Sequence, residues 1–331
     1  MMFAWVLALP LLAGGPRYSV AQADGLVTLR DEQAGVEARI SPRQGGELCG
    51  LRYRMDGQWL ELLYKACDYS NSQGWRGKAP LLFPATGGTA GPYTAMGKPH
   101  KMIPHGFAQH LPWKLDVTKA DANEARALLS LTDMAQTRQS YPYGFRVSVE
   151  YRLRDGRLYL VYTVGAALEN REPMPFSIGN HITFRTPLVP GSDAAKVRLE
   201  TPAKVLIKKD ARNLPNGETG APPFANATDL GAIPFNPAVS LGGYESAPVL
   251  MLTDPKGLRV RMKHEASRPP AAKAPYVQFN VWGDPANGYI SPEPWVGLQN
   301  SLLLRRGLIE LRPGETWDWR VEIQPMRLVA R

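Results

Sequence analysis

Residues 145–164 place the strongest constraint on the fold of this chain: they read FRVSVEYRLRDGRLYLVYTV. An Asp-Gly pair between two alternating runs is a strong signal for a β-hairpin with a type I′ turn. If Arg154 faces Arg157, the register pairs Leu153 with Leu158, Tyr151 with Leu160, Val149 with Tyr162 and Val147 with Val164. Every pair on that face is apolar, so the sequence predicts a hairpin with one buried side.

Similar strand-turn-strand patterns run from about Leu26 to Ile323, and no segment has a sustained apolar stripe of helical period. The 31 glycines and 30 prolines suit many short strands joined by tight turns. The sequence contains no Gly/Ser-rich linker and no internal repeat. We therefore predict a single antiparallel β-domain, a sandwich or a barrel.

The first residues are predicted to be a secretory signal peptide and not part of that domain. The apolar run FAWVLALPLLA, residues 3–13, is too short to span a bilayer and is followed by AQA at residues 21–23. No basic residue precedes the apolar run, a departure from the usual pattern. We expect residues 1–23 to be removed, residues 24–331 to form the domain, and the product to be secreted or periplasmic, without membrane association after cleavage.

The formal charge of +9 does not indicate a nucleic-acid partner. The densest basic cluster is KVLIKK, with Lys204, Lys208 and Lys209, and no aromatic side chains are interleaved with it. A solvated surface is the simplest interpretation. A mild preference for anionic ligands is the alternative.

Cys49 and Cys67 would be exported together, an environment that permits a disulfide. The segment around them reads as a hairpin turning at Asp56-Gly57, which sets Cys49 opposite Tyr64. Cys67 then lies roughly 10 Å further along the strand, beyond the usual reach of a disulfide. We expect free, buried thiols, unless the chain bends after Tyr64.

The sequence shows no metal or cofactor motif. His100, His105 and His110 are spaced by five, so they would alternate between the faces of a strand, and the phosphate-loop and serine-hydrolase motifs are absent. What remains are polar residues within apolar, Gly- or Pro-bounded strands: His105 in PHGFAQ, His181 in GNHITF and Glu293 in SPEPWVG. Taken singly, each is more often a structural residue than a functional one.

Together with their surroundings these motifs resemble the aldose 1-epimerase (galactose mutarotase-like) family over most of residues 24–331. The stretches that carry the resemblance occur in order: GGELCGLRY, WRGKAPLLFPATG, MGKPHKMIPHGFAQHLPWKL, YPYGFRVSVEY, MPFSIGNHITFR and YISPEPWVGLQN. The resemblance implies an all-β, antiparallel β-supersandwich with a sugar site on an open concave face. It also implies His181 as catalytic acid, Glu293 as catalytic base and His105 as a substrate-binding residue.

Interconversion of α and β anomers needs one such acid and one such base. The base removes the proton of the C1 hydroxyl while the acid protonates the ring oxygen, and the same groups reclose the ring without a metal or organic cofactor. A histidine titrating near neutrality suits the acid, and a glutamate partly desolvated by Trp295 and its flanking prolines would have a raised pKa. We expect a glycine-bounded break in the strand to expose His181 to a pocket that also holds Glu293.

Further binding residues are predicted from the same resemblance. Trp282 and Trp295 either stack on a pyranose face or fill the core, and Arg76 and Gln299 are candidate contacts. Gln109 stands where the family's HGFA motif is normally followed by arginine, and FPATGG also lacks an expected arginine. Without these guanidinium groups a sugar phosphate is a poor substrate, and a neutral or mildly acidic free sugar is expected.

Two functions are therefore compatible with the sequence. The first is an exported mutarotase-like enzyme that acts on a free sugar. The second is a non-catalytic carbohydrate-binding protein that holds a sugar or glycan end on the same scaffold, which the missing arginines would favour.

Overall fold

A computed structural model describes residues 15–70, 77–224, 227–270 and 275–328. Within these ranges the chain forms 26 strands and only short helices. The strands are β1 (Tyr18–Ala23), β2 (Leu26–Asp31), β3 (Val36–Ser41), β4 (Glu47–Met55), β5 (Gln58–Glu61), β6 (Leu81–Leu82), β7 (Tyr93–Ala95), β8 (Lys98–His100), β9 (Lys114–Ala120), β10 (Ala125–Thr132), β11 (Phe145–Arg154), β12 (Arg157–Ala166), β13 (Met174–Phe176), β14 (Ile178–Asn180), β15 (Phe184–Arg185), β16 (Arg198–Glu200), β17 (Val205–Lys209), β18 (Pro215–Gly220), β19 (Ala227–Asp229), β20 (Val239–Gly242), β21 (Val249–Thr253), β22 (Leu258–Ala266), β23 (Val277–Asp284), β24 (Tyr289–Gly297), β25 (Ile309–Leu311) and β26 (Thr316–Arg327). The helices are α1 (Ala135–Ser140) and α2 (Ser301–Leu304), with 3₁₀ turns at Ala108–His110, Ala194–Lys196, Leu230–Ala232 and Pro285–Asn287.

The described strands are arranged in three larger sheets and two small ribbons. A five-stranded sheet runs β1-β2-β3-β4-β5, and a nine-stranded sheet runs β19-β16-β21-β22-β26-β12-β11-β10-β9. An eight-stranded sheet runs β18-β17-β20-β23-β24-β14-β6, with β15 also paired to β24. All named strand pairs in these sheets are antiparallel, so the predicted all-β, antiparallel architecture is confirmed.

The hairpin predicted at residues 145–164 forms β11 and β12 near the centre of the nine-stranded sheet. Its register is the predicted one, with Arg154 opposite Arg157 and Val147 opposite Val164. Asp155 and Gly156 both have positive φ angles, of 48° and 69°, as a type I′ turn requires. All eight side chains of the apolar face are at most 1% exposed, so the alternation in the sequence correctly identified the core side.

The nine-stranded and eight-stranded sheets pack against each other, and both contribute side chains to one hydrophobic cluster that also includes residues of the five-stranded sheet. Polar contacts also cross this interface: Asn180 on β14 donates a hydrogen bond to the Tyr162 hydroxyl on β12 over 2.6 Å. On β23 the core residues Phe279 and Val281 alternate with Asn280 and Trp282. Because neighbouring strand residues point to opposite faces, Asn280 and Trp282 lie on the outer face of the eight-stranded sheet.

Cys49 and Cys67 form a disulfide, and the expectation of free thiols is wrong. The hairpin itself is as predicted, with Met55 opposite Gln58, but β5 ends at Glu61. Beyond it the chain turns back, with Lys65 and Cys67 at positive φ angles, and the Cys67 N–H donates to the Cys49 carbonyl over 2.8 Å. This bend brings the two Cα atoms to 4.7 Å, which a straight continuation of the strand would not allow.

The boundary of the predicted leader falls at the end of a strand of the five-stranded sheet. Tyr18–Ala23 forms β1, paired along its length with β2, and Arg17 forms an ion pair with the fully buried Asp31. Cleavage after Ala23 would therefore remove an edge strand and a salt bridge. The apolar part of the predicted leader, residues 3–13, lies outside the described residues. Within the described ranges no helix has the length and apolar character needed to cross a membrane.

Candidate active site

A pocket with a cavity volume of about 400 Å³ opens on the outer face of the eight-stranded sheet. The predicted site residues His105, Gln109, His181, Trp282 and Glu293 all line it, although they come from four separate regions of the chain. Arg76, the remaining predicted contact, lies outside the described residues. The structure therefore brings together every predicted site residue that it describes.

His181 occupies the gap between β14 and β15, the break that the sequence predicted. Its backbone N–H donates to the Pro80 carbonyl over 2.9 Å, which fixes the main chain at this interruption. Gly179, two residues earlier, lies under the indole of Trp295: a Cβ atom there would come within 2.5 Å of the Trp295 ring. The glycine is needed because the indole packs directly on the backbone that presents His181.

Glu293 lies in the middle of β24 and is held by two hydrogen bonds. The Asn280 side-chain amide donates to Oε1 over 3.0 Å, and the Trp295 indole N–H donates to Oε2 over 3.1 Å. Asn280 is the direct cross-strand partner of Glu293 in the β23–β24 ladder. Trp295 lines the pocket but is only 1% exposed, so most of its ring packs in the core while its indole N–H orients the carboxyl group.

The two candidate catalytic groups meet although they are more than a hundred residues apart in the sequence. His181 Nε2 lies 3.6 Å from Glu293 Oε1. His181 Nδ1 lies 3.3 Å from Thr183 Oγ1, whose hydroxyl donates to the His181 carbonyl. Nδ1 of the ring is therefore within hydrogen-bond distance of Thr183, and Nε2 faces Glu293.

Burial shifts the pKa values of these two groups in opposite directions. It lowers the pKa of His181 to about 3, with a smaller contribution from neighbouring His105. It raises the pKa of Glu293 to about 8, against the opposing effects of the Asn280 and Trp295 hydrogen bonds and the positive charge of Lys209. At pH 7 these pKa values correspond to a mainly protonated carboxyl group beside a neutral imidazole. The expectation that His181 titrates near neutrality is wrong because the ring is desolvated; the expected rise for Glu293 is found.

His105 contributes a hydrogen-bond donor to the same pocket. The Gly87 N–H donates to His105 Nδ1 over 3.2 Å, so the neutral ring carries its proton on Nε2. Burial lowers the pKa of His105 to about 4, which keeps the ring neutral at pH 7. The backbone of His105 is held at a φ of 64°, a strained conformation for a residue other than glycine. Such strain is maintained only where the surrounding contacts are strong, and it fixes the ring beside His181.

Gln109 and Trp282 stand on the wall of the pocket. Gln109 belongs to the 3₁₀ turn Ala108–His110, and its uncharged amide occupies the position where the family motif led us to expect arginine. Trp282 is half-buried, with its ring centroid 5.9 Å from that of His181. Of the two predicted tryptophans, Trp282 is thus the one with ring surface available to a sugar. Gln299, a weaker prediction, also lines the pocket.

Sequence analysis missed five further polar residues of the pocket: Glu47, His110, Lys209, Asn213 and Asn280. For two of these residues, the alternation of side chains along a strand could have indicated which face they occupy. Lys209 shares a strand face with buried Ile207, and Asn280 shares one with Trp282. Lys209 was instead grouped with its neighbours Lys204 and Lys208 as part of a solvated surface.

Comparison with known proteins agrees with this geometry. The sequence profile described as "Aldose 1-epimerase" matches residues 25–269. This chain belongs to the aldose 1-epimerase family. It is 26% identical over 278 residues to the plasmid-encoded protein LacX of Lactococcus lactis subsp. lactis, a match that covers 78% of this chain and 84% of LacX.

Solved structures show the same fold at low sequence identity. A galactose mutarotase-like protein from Clostridium acetobutylicum superposes with a TM-score of 0.77 at 20% identity, covering 94% of this chain and 98% of that one. A galactose 1-epimerase from Lactobacillus acidophilus superposes with a TM-score of 0.68 at 16% identity, with the same two coverages. The fold of this aldose 1-epimerase family member is therefore galactose mutarotase-like, as the sequence resemblance implied. Family and fold together support a mutarotase-like, sugar-interconverting role and the binding of a small sugar.

Proposed function

We propose that this protein is an aldose 1-epimerase that interconverts the α and β anomers of a free sugar, with Glu293 as general base and His181 as general acid. The observation that carries the proposal is the 3.6 Å approach of His181 Nε2 to Glu293 Oε1 at a pocket open to solvent. Burial shifts the pKa values of the two groups in opposite directions. Paired groups with opposed shifts are characteristic of acid-base sites.

The reaction requires that the pair exchange protons with the sugar in both directions. Ionised Glu293 accepts the proton of the C1 hydroxyl while protonated His181 donates to the ring oxygen, and the C1–O5 bond breaks to give the open-chain aldehyde. After rotation about C1–C2, Glu293 returns its proton to the carbonyl oxygen and His181 takes back the proton of the C5 hydroxyl. Each correctly placed group typically accelerates such a step by about 10²–10⁴-fold.

The protonation state of the His181–Glu293 pair at pH 7 corresponds to the open-chain stage of this reaction. A protonated carboxyl beside a neutral imidazole is the state that the pair reaches once the ring has opened. It differs from the ring-opening state, ionised Glu293 with protonated His181, only by transfer of one proton within the pair. Between the two shifted pKa values, about 3 and about 8, the pair retains one proton, so we expect a broad pH plateau of activity.

Three residues are proposed to bind the sugar. His105 offers an Nε2–H donor, because its Nδ1 already accepts from the Gly87 N–H. Gln109 offers a neutral donor and acceptor for hydroxyl groups, and Trp282 offers the exposed part of its ring for stacking. None of the three carries a positive charge at pH 7, which disfavours a phosphorylated sugar at these positions.

Anomer exchange measured by NMR tests the proposal directly. The wild-type protein is compared with Glu293→Gln and His181→Ala across a panel of aldoses, and both variants are expected to lose the acceleration. Matched controls are Glu218→Gln, an exposed glutamate paired with Lys208, and His100→Ala, a histidine outside the pocket. Both controls should retain the wild-type exchange rate.

The alternative function, a non-catalytic carbohydrate-binding protein, predicts a different outcome of the same measurement. Sugars would then bind saturably while the exchange rate stays at its spontaneous value in the wild type and in every variant. This result would contradict the enzymatic proposal and leave the site as a lectin-like pocket.

We also propose that the protein is exported to the periplasm or the medium, on the basis of the apolar run and the AQA pattern. Cell fractionation with mass spectrometry of the N-terminus tests this proposal. A mature chain beginning at Asp24 would support the predicted boundary, and one that retains Tyr18–Ala23 would move cleavage upstream of β1. An intact N-terminus in the cytoplasm would contradict export.

A further inference from the structure

Lys209 places a cation inside the pocket, close to the candidate base. It lies at the end of β17, is half-buried, and lines the cavity. Its Nζ donates to the Ala238 carbonyl over 3.0 Å and to the Asn280 side-chain oxygen over 3.4 Å. An ammonium group has three N–H donors, so one donor remains for a ligand.

The charge of Lys209 is not balanced by a carboxylate within ion-pair distance. Among the described residues no carboxylate oxygen lies within 4.0 Å of its Nζ, whereas neighbouring Lys204 and Lys208 are paired with Glu245 and Glu218. Burial lowers the pKa of Lys209 to about 8, opposed by the charge of Glu293. A half-buried cation with polar but uncharged partners is costly, and a bound anion would remove that cost.

Lys209 and Glu293 lie on either side of one amide group. Asn280 accepts from Lys209 through its oxygen and donates to Glu293 Oε1 through its nitrogen, and Ser240 also donates to the Asn280 oxygen over 2.8 Å. The Lys209 ammonium group and the Glu293 carboxyl group are thus linked by two hydrogen bonds through the Asn280 amide. A single sugar ring can span this separation. A sugar with its anomeric hydroxyl at Glu293 can then present a substituent to Lys209.

We propose that Lys209 is a specificity-determining residue that binds the carboxylate of an acidic sugar, and that the preferred substrate is a hexuronic acid. The prediction for kcat/KM rests on the proposed function, whereas the prediction for sugar binding does not. A sugar carboxylate accepts the remaining N–H of Lys209 in a charge-assisted hydrogen bond, which is about twice as strong as a neutral one. A neutral hexose carries a hydroxymethyl group at C5, where a hexuronic acid carries its carboxylate. That hydroxymethyl group would form only a neutral acceptor's hydrogen bond with Lys209.

A competing explanation is that Lys209 acts only on Glu293, by favouring its ionised form. The two roles differ in what they predict for neutral sugars. An effect through Glu293 alone would weaken the turnover of acidic and neutral sugars by the same factor. A carboxylate-binding role lowers kcat/KM mainly for the acidic sugar, and chiefly through KM.

The experiment compares three sugars of similar size at pH 6.5: D-galacturonate, its uncharged methyl ester, and D-galactose. Anomer exchange gives kcat/KM for each sugar, and ligand-observed NMR gives Kd. The variants are Lys209→Met, which removes the charge, Lys209→Arg, which keeps it, and Lys208→Met as the matched surface control. Thermal melts of each variant establish that it is folded.

We expect the wild type to favour galacturonate over its methyl ester and over galactose by about tenfold or more, the factor that corresponds to about 1.4 kcal/mol. Lys209→Met should lower kcat/KM for galacturonate about tenfold more than for the methyl ester or for galactose, Lys209→Arg should restore most of the preference, and Lys208→Met should not change it.

Equal losses for all three sugars, or a wild type that treats them alike, would overturn the inference. If no sugar exchanges faster than it does spontaneously, the proposed enzymatic function fails, and the Kd values still decide the role of Lys209. Tenfold tighter binding of galacturonate by the wild type than by Lys209→Met would then support it, and equal binding would reject it.

Discussion

Two buried histidines, His181 and His264, show what separates a candidate catalytic site from a structural polar core. Both are largely buried, and burial lowers both pKa values, to about 3 for His181 and about 4 for His264. The difference lies in their partners. His264 Nε2 lies 2.6 Å from the Gln278 carbonyl, and its Nδ1 accepts from the Trp319 indole N–H over 3.1 Å.

Both ring nitrogens of His264 are therefore used by fixed partners that do not titrate near neutrality. The ring joins β22 to β23 across the interface of the two large sheets and packs edge-on against Phe279. His181 instead turns Nε2 towards Glu293, a carboxyl group whose pKa burial raises, at the wall of a cavity. A perturbed histidine becomes a candidate catalyst when a second titratable group with the opposite shift stands beside it at an open pocket.

The largest expected effect is on catalysis by the His181–Glu293 pair. Glu293→Gln and His181→Ala should each reduce the enzymatic acceleration by about 10²–10⁴-fold. Because the two groups act in one proton exchange, the double variant should lose little more than either single variant. Exchange NMR on the three variants measures this; losses that multiply in the double variant would show that the residues act independently.

The next effect concerns stability at the other histidine. His264→Phe removes a hydrogen-bond donor and an acceptor, and leaves the Trp319 N–H and the Gln278 carbonyl unpaired in the core. We expect the free energy of unfolding to fall by about 2–4 kcal/mol. Denaturant titration measures this loss. Anomer exchange per folded molecule should stay within about twofold of wild type, and a selective loss of exchange would contradict the purely structural role given to His264.

A smaller effect is expected on the free energy of unfolding at alkaline pH, and it involves Glu293. The folded-state pKa of Glu293, about 8, lies above its unfolded value of 4.5. The stability linked to this group is therefore present below pH 4.5 and is lost as the pH rises through 8. Glu293→Gln avoids this loss, so its stability relative to wild type should increase by about 1 kcal/mol for each pH unit between pH 4.5 and 8. Thermal melts at several pH values measure it, with Glu218→Gln as control; a pH-independent difference would contradict the raised pKa.

The smallest effect appears on the acid side and involves His264. Its folded-state pKa, about 4, lies below the ordinary value of 6.5, so the unfolded chain binds the extra proton and stability falls as the pH drops from 6.5 towards 4. His264→Phe should reduce the slope of unfolding free energy against pH by about 1 kcal/mol per pH unit in this range. Urea titrations at pH 4.5 and 6.5 test this, and an unchanged slope would show that His264 does not titrate as described.

The fold could be predicted to a large extent because its signals are local. Alternation around Asp155-Gly156 correctly predicted the register and buried face of β11 and β12, and Asp56-Gly57 correctly predicted the turn and register of β4 and β5. Turn chemistry and strand period depend on residues close in sequence. The pairing of Cys49 with Cys67 was not predictable in this way, because the bend after β5 is stabilised by contacts outside the hairpin, such as the bond from the Tyr64 N–H to the Thr183 carbonyl.

The candidate site was predicted in its residue types and in the raised pKa of Glu293, but not in the lowered pKa of His181. Motif resemblance pointed to His105, Gln109, His181, Trp282 and Glu293, and all five line one pocket. It gave no signal that His181 is neutral, because that follows from the burial of its ring beside His105.

The sequence by itself determined the strand pattern, the antiparallel all-β class and the residues from which an acid-base pair could be formed. Only the tertiary structure decided that Asn280 lies between Lys209 and Glu293, and that His181 and Glu293 lie 3.6 Å apart. The physical reason is the separation of the interacting groups along the chain. Side-chain alternation depends only on neighbouring residues. Desolvation and Coulomb interactions sum over groups that are distant in sequence and become adjacent only after the sheets have packed.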